Sequence, residues 1–196
     1  VRANEDDLHG LAELWRRGGR IVAAGEMGLD YHYDFSPRDV QCVILERQLE
    51  LAARLDLPVV IHARKAHEEI VRILTKHAFV GRKVVFHCYS GTPRQAAELR
   101  ANGWRTSFTG ILTFEKADDM RQVLMEAPAD QLMFETDAPY LSPEPVRKIR
   151  PNEPKNLVHT LSFAAKLRGM ALEDLARLST SNAIQFFGLP LQRTGQ

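Results

Sequence analysis

The sequence predicts an α/β fold in which parallel strands alternate with helices, and two observations favour a (β/α) barrel of the TIM type. Short apolar runs alternate with longer amphipathic segments along the 196 residues. The runs are apolar on both faces, as expected of a parallel sheet covered by helices. Four of the five predicted strands end in a side chain that can bind a metal ion. That placement fits strand tips that converge on one mouth better than an open sheet with a single switch point.

The predicted strands are short and most of them end in an acid or a histidine. The last of them, 132–137, carries Glu135 and Asp137, which alternation along a strand would place on one face. The other strands are predicted at 21–25 before Glu26, at 57–61 before His62, at 83–86 before His87, and at 104–109.

Helical periodicity fills the segments between these strands and the C-terminal part of the chain. Proline, glycine and capping residues mark several of the boundaries. The predicted helices cover about 4 or 6 to 17, 37–55, 66–77, 93–102, 116–127, 155–168 and 172–187.

Composition limits the classes of function. A chain that is 44% hydrophobic and 26% charged is expected to form a single domain over 1–196. A formal net charge of +1 provides no general attraction to nucleic acid, so such affinity requires a local basic patch. Cys42 and Cys88 are too few for a disulfide framework, which favours reduced core residues and a cytoplasmic location. The sequence predicts neither a membrane span nor a signal peptide, and it leaves the oligomeric state open.

Four motifs resemble the TatD family of metal-dependent deoxyribonucleases, a TIM-barrel branch of the amidohydrolase-like hydrolases. They are GEMGLDY at 25–31, PVVIHAR at 58–64, FHCYSG at 86–91 and ETDAPYL at 135–141. The resemblance continues through 107–111, 147–154 and 181–188. It implies that Glu26, His62, His87 and Asp137 are metal ligands, with Glu26 bridging two divalent ions.

The chain departs from the family pattern at its N-terminus. The family's first strand carries a His-x-His pair that completes one metal site, and His9 and His32 stand in the wrong contexts to replace it. We expect the missing βα units to precede Val1, so that the chain is the C-terminal part of a barrel. The alternative is a protein that lost these units, which would expose two long sheet edges.

The chemistry expected of these residues is hydrolysis by a metal-activated water. Imidazole and carboxylate ligands suit Zn²⁺ or Mn²⁺, and carboxylates suit Mg²⁺. Two such ions can activate water and hold the oxygens of a phosphodiester. Asp137 is the expected general base, with Glu26 sharing the catalytic site, and Glu135 is expected to orient a ligand. Arg64 and Arg147 are expected to contact phosphate, in DNA presented as single strands or 3′ ends.

Each assignment has a structural alternative, and two other functions remain open. A lone histidine at a strand end is more often a hydrogen-bonded core residue, and Glu135 or Arg64 could form ordinary ion pairs. The same barrel could hydrolyse an ester, lactone or amide, although no lysine stands at a strand tip to serve as a carbamylated bridge. The absent His-x-His also allows a catalytically silent binding protein.

Overall fold

The computed structural model describes residues 5–17, 21–33 and 35–190. The predicted helix start at Asn4 lies outside these residues. The chain forms two compact units. The first comprises Val1–His87 with Leu99–Trp104, and the second comprises Cys88–Glu98 with Arg105–Gln196.

The first unit is built on three parallel strands. They are β1 (Ala24–Asp30), β2 (Val59–Arg64) and β3 (Val84–Phe86), and β2 pairs with both of the others. The helices of this unit are α1 (Glu5–Arg16), α2 (Arg38–Arg54) and α3 (His67–Lys76), and α4 (Pro93–Ala101) follows β3 in the chain. Parallel neighbours require a crossover between them, which α2 and α3 supply. The α/β class predicted from the sequence is therefore confirmed in this unit.

Apolar side chains on the strands and helices form the core of this unit. Leu49, Ile61 and Ile70 are each fully buried, and Trp104 is fully buried as well. The Trp104 indole N–H donates a hydrogen bond to the Phe79 carbonyl at 2.9 Å, so its one polar atom is satisfied inside the core. Trp104 is therefore a core residue.

Strand β1 differs from its prediction, because Glu26 lies within the strand instead of at its end. The predicted strand 21–25 stopped before Glu26, where the apolar run gives way to a carboxylate. Here a Cβ at Gly28 would stand 1.9 Å from the His62 carbonyl oxygen, and one at Gly25 would stand 2.7 Å from the Val60 Cβ. The glycines therefore permit close approach of β1 to β2, and the strand continues to Asp30.

Within its described residues, the second unit contains two short parallel strands, most of α4 and three further helices. Strands β4 (Arg105–Phe108) and β5 (Met133–Phe134) pair with Ser107 opposite Met133. The helices are α5 (Asp118–Glu126), α6 (Leu157–Arg168) and α7 (Leu172–Phe187). Short 3₁₀ turns at Gly110–Thr113, Ala129–Gln131 and Pro154–Asn156 were not predicted.

The predicted extension of the last strand to Asp137 is wrong. Strand β5 ends at Phe134, and Asp137 adopts a left-handed backbone with φ of 56°. The Tyr140 N–H donates to the Asp137 carbonyl at 2.8 Å, which closes a turn. The strict alternation expected for Glu135 and Asp137 therefore does not apply, because a turn replaces the strand at that point.

Asn182 fastens helix α7 to the segment before β5. Its buried side-chain amide donates to the Ala129 carbonyl at 2.9 Å and to the Leu132 carbonyl at 3.0 Å. One side chain thus satisfies two backbone acceptors that no regular ladder reaches. Within the described residues, no helix combines the length and the apolar character needed to cross a bilayer.

We expect the Asn182→Ala change to lower the free energy of unfolding by about 1–3 kcal/mol, because it removes the hydrogen bond to the buried Leu132 carbonyl and a second one to the Ala129 carbonyl. Thermal and denaturant unfolding followed by circular dichroism measures the loss. The matched control is Ser181→Ala, an exposed position on the same helix, with an expected effect within about 0.5 kcal/mol. Equal stability of the two variants would contradict the role given to Asn182.

Candidate metal centre

Three predicted ligands meet at one place in the first unit. Glu26 lies in β1, His62 lies in β2, and His87 directly follows β3. One ligand atom from each residue lies within 4.8 Å of the others. Residues far apart in sequence therefore converge because their strands are neighbours in a parallel sheet.

The Glu26 carboxylate stands between the two imidazoles. Its Oε1 lies 2.9 Å from His62 Nδ1 and 2.6 Å from His87 Nε2. The two ring nitrogens are 3.3 Å apart. One carboxylate oxygen and two ring nitrogens thus surround a common region, and a divalent cation can bind these atoms once the nitrogens have lost their protons.

The same contacts set the electrostatics of the site. Hydrogen bonds from His62 and His87 hold the pKa of Glu26 far below its usual range, against the opposing effect of burial. The hydrogen bond to Glu26 raises the pKa of His62, with a smaller contribution from Asp30, although burial opposes it. The cluster thus combines an ionised carboxylate with an imidazole that retains its proton more strongly than usual. A cation would replace that proton.

Access to the cluster is from the side of the glutamate. The Glu26 side chain is 50% exposed, whereas the His87 side chain is only 10% exposed. Glu26 and His62 also line a cavity of about 350 Å³, together with Gly28, Asp30 and Phe35 among others. The His87 side chain is therefore largely enclosed by protein, whereas the Glu26 carboxylate faces the cavity.

Sequence reasoning missed Asp30 as a functional residue. Its Oδ2 lies 3.2 Å from His62 Nε2, the ring nitrogen that points away from Glu26. Its Oδ1 accepts hydrogen bonds from the backbone N–H of His32 at 2.8 Å and of Tyr33 at 3.1 Å. A carboxylate on the far nitrogen of a ligating histidine fixes the ring orientation and tautomer. The available signal was its place inside the GEMGLDY motif at 25–31.

The carboxylates of Glu135 and Asp137 both lie close enough to Cys88 in the second unit to interact with it. Glu135 Oε1 accepts the Cys88 backbone N–H at 2.7 Å and also the Ser107 hydroxyl. Burial is the main cause that raises the pKa of the Cys88 thiol to about 12, and the carboxylates of Asp137 and Glu135 raise it further. Cys88 is a free cysteine that is partly buried, whereas the sequence predicted a core residue. Asp137 as a metal ligand and Glu135 as an orienting group stay predictions.

The two predicted phosphate-binding arginines each lie over an aromatic ring. Arg64 ends β2, and its guanidinium carbon is 4.5 Å from the centroid of Tyr33. The guanidinium carbon of Arg147 is 3.5 Å from the centroid of Phe114. Stacking holds a guanidinium in place without using its N–H donors, so both groups keep the capacity to bind an anion.

The donor set of the cluster fits a divalent transition-type cation. Two imidazole nitrogens and one carboxylate oxygen match the ligands that Zn²⁺ and Mn²⁺ prefer. A cation held by Glu26, His62 and His87 would polarise a substrate oxygen and lower the pKa of a bound water toward ~7. A parallel α/β fold that carries such a group on neighbouring strands, or directly after one, is typical of metal-dependent hydrolases.

Comparison with known proteins identifies the family. The family model described as TatD related DNase matches residues 1–188. A protein named uncharacterized metal-dependent hydrolase YabD, from Bacillus subtilis, is 38% identical over 187 residues, which are 95% of this chain and 72% of that protein. The 3′-5′ ssDNA/RNA exonuclease TatD of Erwinia amylovora is 38% identical over 173 residues, which cover 86% of this chain and 67% of that protein.

A solved structure agrees with these matches. The TatD homologue YJJV of Escherichia coli K12 superposes with a TM-score of 0.88 at 30% identity, covering 96% of this chain and 72% of that one. The chain therefore belongs to the TatD family of metal-dependent hydrolases. The resemblance and the TIM-barrel type of α/β fold predicted from the sequence motifs are confirmed.

We expect Glu26→Gln to weaken binding of Mn²⁺ or Zn²⁺ by about 100-fold or more, since loss of a residue that only supports a ligand already costs 10–100-fold. The amide keeps the shape of the side chain but removes the charge between the two imidazoles. Isothermal titration of the metal-free protein measures the affinity.

The matched control is Glu46→Gln. The Glu46 carboxylate lies 3.7 Å from His77 Nε2, so this change also removes an acid beside a histidine, but outside the cluster. Metal affinity should be unchanged in this variant. A similar loss in both variants would show that general charge, and not this cluster, governs binding.

Metal affinity should rise with pH through the titration of His62. The pKa of His62 is raised above the usual value of about 6.5, and its nitrogen must lose a proton before it can bind a cation. Affinity should therefore fall by up to about tenfold for each pH unit below that pKa and level off above it. Competition against a chromophoric chelator across the pH range tests this, and a flat profile would contradict it.

Proposed function

We propose that the protein hydrolyses phosphodiester bonds of DNA, as a metal-dependent 3′–5′ exonuclease acting on single strands or 3′ ends. The observation that carries the proposal is the convergence of Glu26, His62 and His87 on one cation-sized site. Membership of a family described as DNases, and the printed name of the Erwinia relative, support DNA as the substrate and the direction of attack.

In this proposal the acidic and histidine side chains divide the chemical work. Glu26, His62 and His87 hold divalent cation, with Mg²⁺, Mn²⁺ or Zn²⁺ as candidates and two ions in the complete site. Asp137 completes the ligand set and takes a proton from the attacking water as general base. Water adds to phosphorus, and the bond from phosphorus to the leaving sugar oxygen breaks.

Two features of Asp137 support its assignment. It follows the C-terminal end of a parallel strand, as His87 does, and such ends carry the functional residues of barrel enzymes. Its left-handed backbone, with φ of 56°, is uncommon for a residue other than glycine and recurs at functional sites. Glu135, which accepts hydrogen bonds from the Cys88 N–H and the Ser107 hydroxyl, orients a ligand in this proposal.

The two arginines hold the substrate backbone. A guanidinium offers several N–H donors to phosphate oxygens and keeps its charge at any physiological pH. Arg64 lies on the same strand as His62, two residues further on, so it faces the side of the sheet that bears the cluster. Arg147 is half-buried and lies next to two exposed basic residues, Lys148 and Arg150. A cytoplasmic location is part of the same proposal.

The experiment incubates purified protein with end-labelled single-stranded DNA and Mg²⁺ or Mn²⁺. We expect shortening from the 3′ end that stops with chelator, and a loss of about 10²–10⁴-fold in rate for Asp137→Ala. Asp119→Asn, an exposed acid in the same unit, is the control and should keep full rate.

Three outcomes would overturn parts of the proposal. Turnover of a lactone or ester without cleavage of DNA would replace the nuclease by another hydrolase of the same class. Absence of metal binding would favour a silent binding protein. Full activity of Asp137→Ala would remove that residue from the catalytic site.

A further inference from the structure

Two aromatic rings stand in water beside the candidate metal centre. Phe35 is 86% exposed and Tyr33 is 52% exposed. Their rings are stacked nearly parallel, with centroids 5.2 Å apart and an angle of 9° between the planes. We call this pair, Tyr33 and Phe35, the aromatic ledge. It follows β1 and precedes α2.

Packing within the described part of the fold does not account for the ledge. Phe35 gains little hydrophobic stabilisation at 86% exposure. The contact with Tyr33 leaves most of the Phe35 ring open. Adjacent exposed apolar side chains beside polar groups can mark a ligand-binding groove.

The ledge is held in a defined orientation by polar groups. The backbone N–H of Tyr33 donates to Asp30 Oδ1, and the other oxygen of Asp30 contacts His62. The Arg64 guanidinium carbon lies 4.5 Å from the Tyr33 centroid, and the His32 ring meets Tyr33 edge-on at 4.8 Å. One carboxylate therefore connects the ledge to a predicted metal ligand.

Position also connects the ledge to the chemistry. Phe35 lines the same cavity, of about 350 Å³, as Glu26 and His62. A ligand in that cavity would meet an aromatic face from Phe35, a carboxylate from Glu26 and an imidazole from His62. A nucleotide unit combines a flat base with an anionic phosphate that requires a cation, and Arg64 adds positive charge beside the ledge.

We propose that Phe35 stacks on an unpaired base of the strand whose phosphate lies at the metal centre, and that Tyr33 and Arg64 support it from behind. This inference rests on the proposed function for its substrate class. Every nucleobase has a π face, so the contact tolerates any sequence and contributes about 1–3 kcal/mol per base. A base inside a duplex has both faces covered, so the ledge selects single strands.

The test measures binding without hydrolysis. Fluorescein-labelled oligothymidylate with phosphorothioate linkages, which resist hydrolysis and keep the backbone charge, is titrated with the Mn²⁺-loaded protein, and anisotropy reports the dissociation constant. We expect Phe35→Ala to weaken binding by about 5-fold to 150-fold, whereas Phe35→Trp retains it because a ring remains. An abasic oligonucleotide of equal length carries the same backbone charge, and its binding should not change between the variants.

Val43→Ala is the control for loss of an exposed apolar side chain. Val43 is 51% exposed on α2, and its truncation should leave oligothymidylate binding unchanged. Circular dichroism confirms that all variants are folded. Unchanged binding in Phe35→Ala would overturn the inference, and so would an equal loss on the abasic strand.

The two proposals can fail separately. Loss of oligothymidylate affinity in Phe35→Ala, combined with no DNA cleavage by the wild type in Mn²⁺, would retain the ledge as a binding site and remove the nuclease. Cleavage by the wild type with identical affinity and KM in Phe35→Ala would retain the nuclease and remove the ledge.

Discussion

The contact on which the rest depends is one glutamate oxygen held between two imidazole nitrogens, at 2.9 Å and 2.6 Å. An ionised carboxylate and two imidazoles crowded together in a partly buried site are stabilised by shared protons when no cation is present. The same geometry turns into a ligand set when a cation displaces those protons. Strands β1, β2 and β3 are neighbours in one parallel sheet, and their spacing brings Glu26, His62 and His87 together.

Much of this arrangement was predictable from the sequence, because strand and helix periods are local properties. Helix α7 was predicted with its observed bounds, and the convergence of Glu26, His62 and His87 was predicted from their strand-end positions. The full extent of β1 was not predicted, because glycines such as Gly25 and Gly28 usually weaken a strand interior. Both glycines are needed because β2 lies so close to β1 that a side chain at either position would collide with it. That approach is a tertiary property that periodicity cannot express.

The residues that sequence reasoning missed or misplaced depend on such non-local contacts. The role of Asp30 depends on the contact between its carboxylate and His62 Nε2. The sequence pattern along β1 does not predict that contact. The turn at Asp137 replaces the expected strand end, although the same residues also fit a strand by alternation. Asp30 further joins the cluster to the aromatic ledge, so one carboxylate orients both a predicted ligand and the surface proposed to receive a base.

The most direct measurement of the central claim is X-ray absorption at the zinc edge on protein loaded with Zn²⁺. The account predicts nitrogen and oxygen neighbours at about 2.0–2.2 Å with the outer-shell scattering of two imidazoles. It also predicts that His62→Ala removes the contribution of one imidazole. A spectrum with oxygen neighbours alone, or one that His62→Ala leaves unchanged, would contradict the claim that Glu26, His62 and His87 hold the cation.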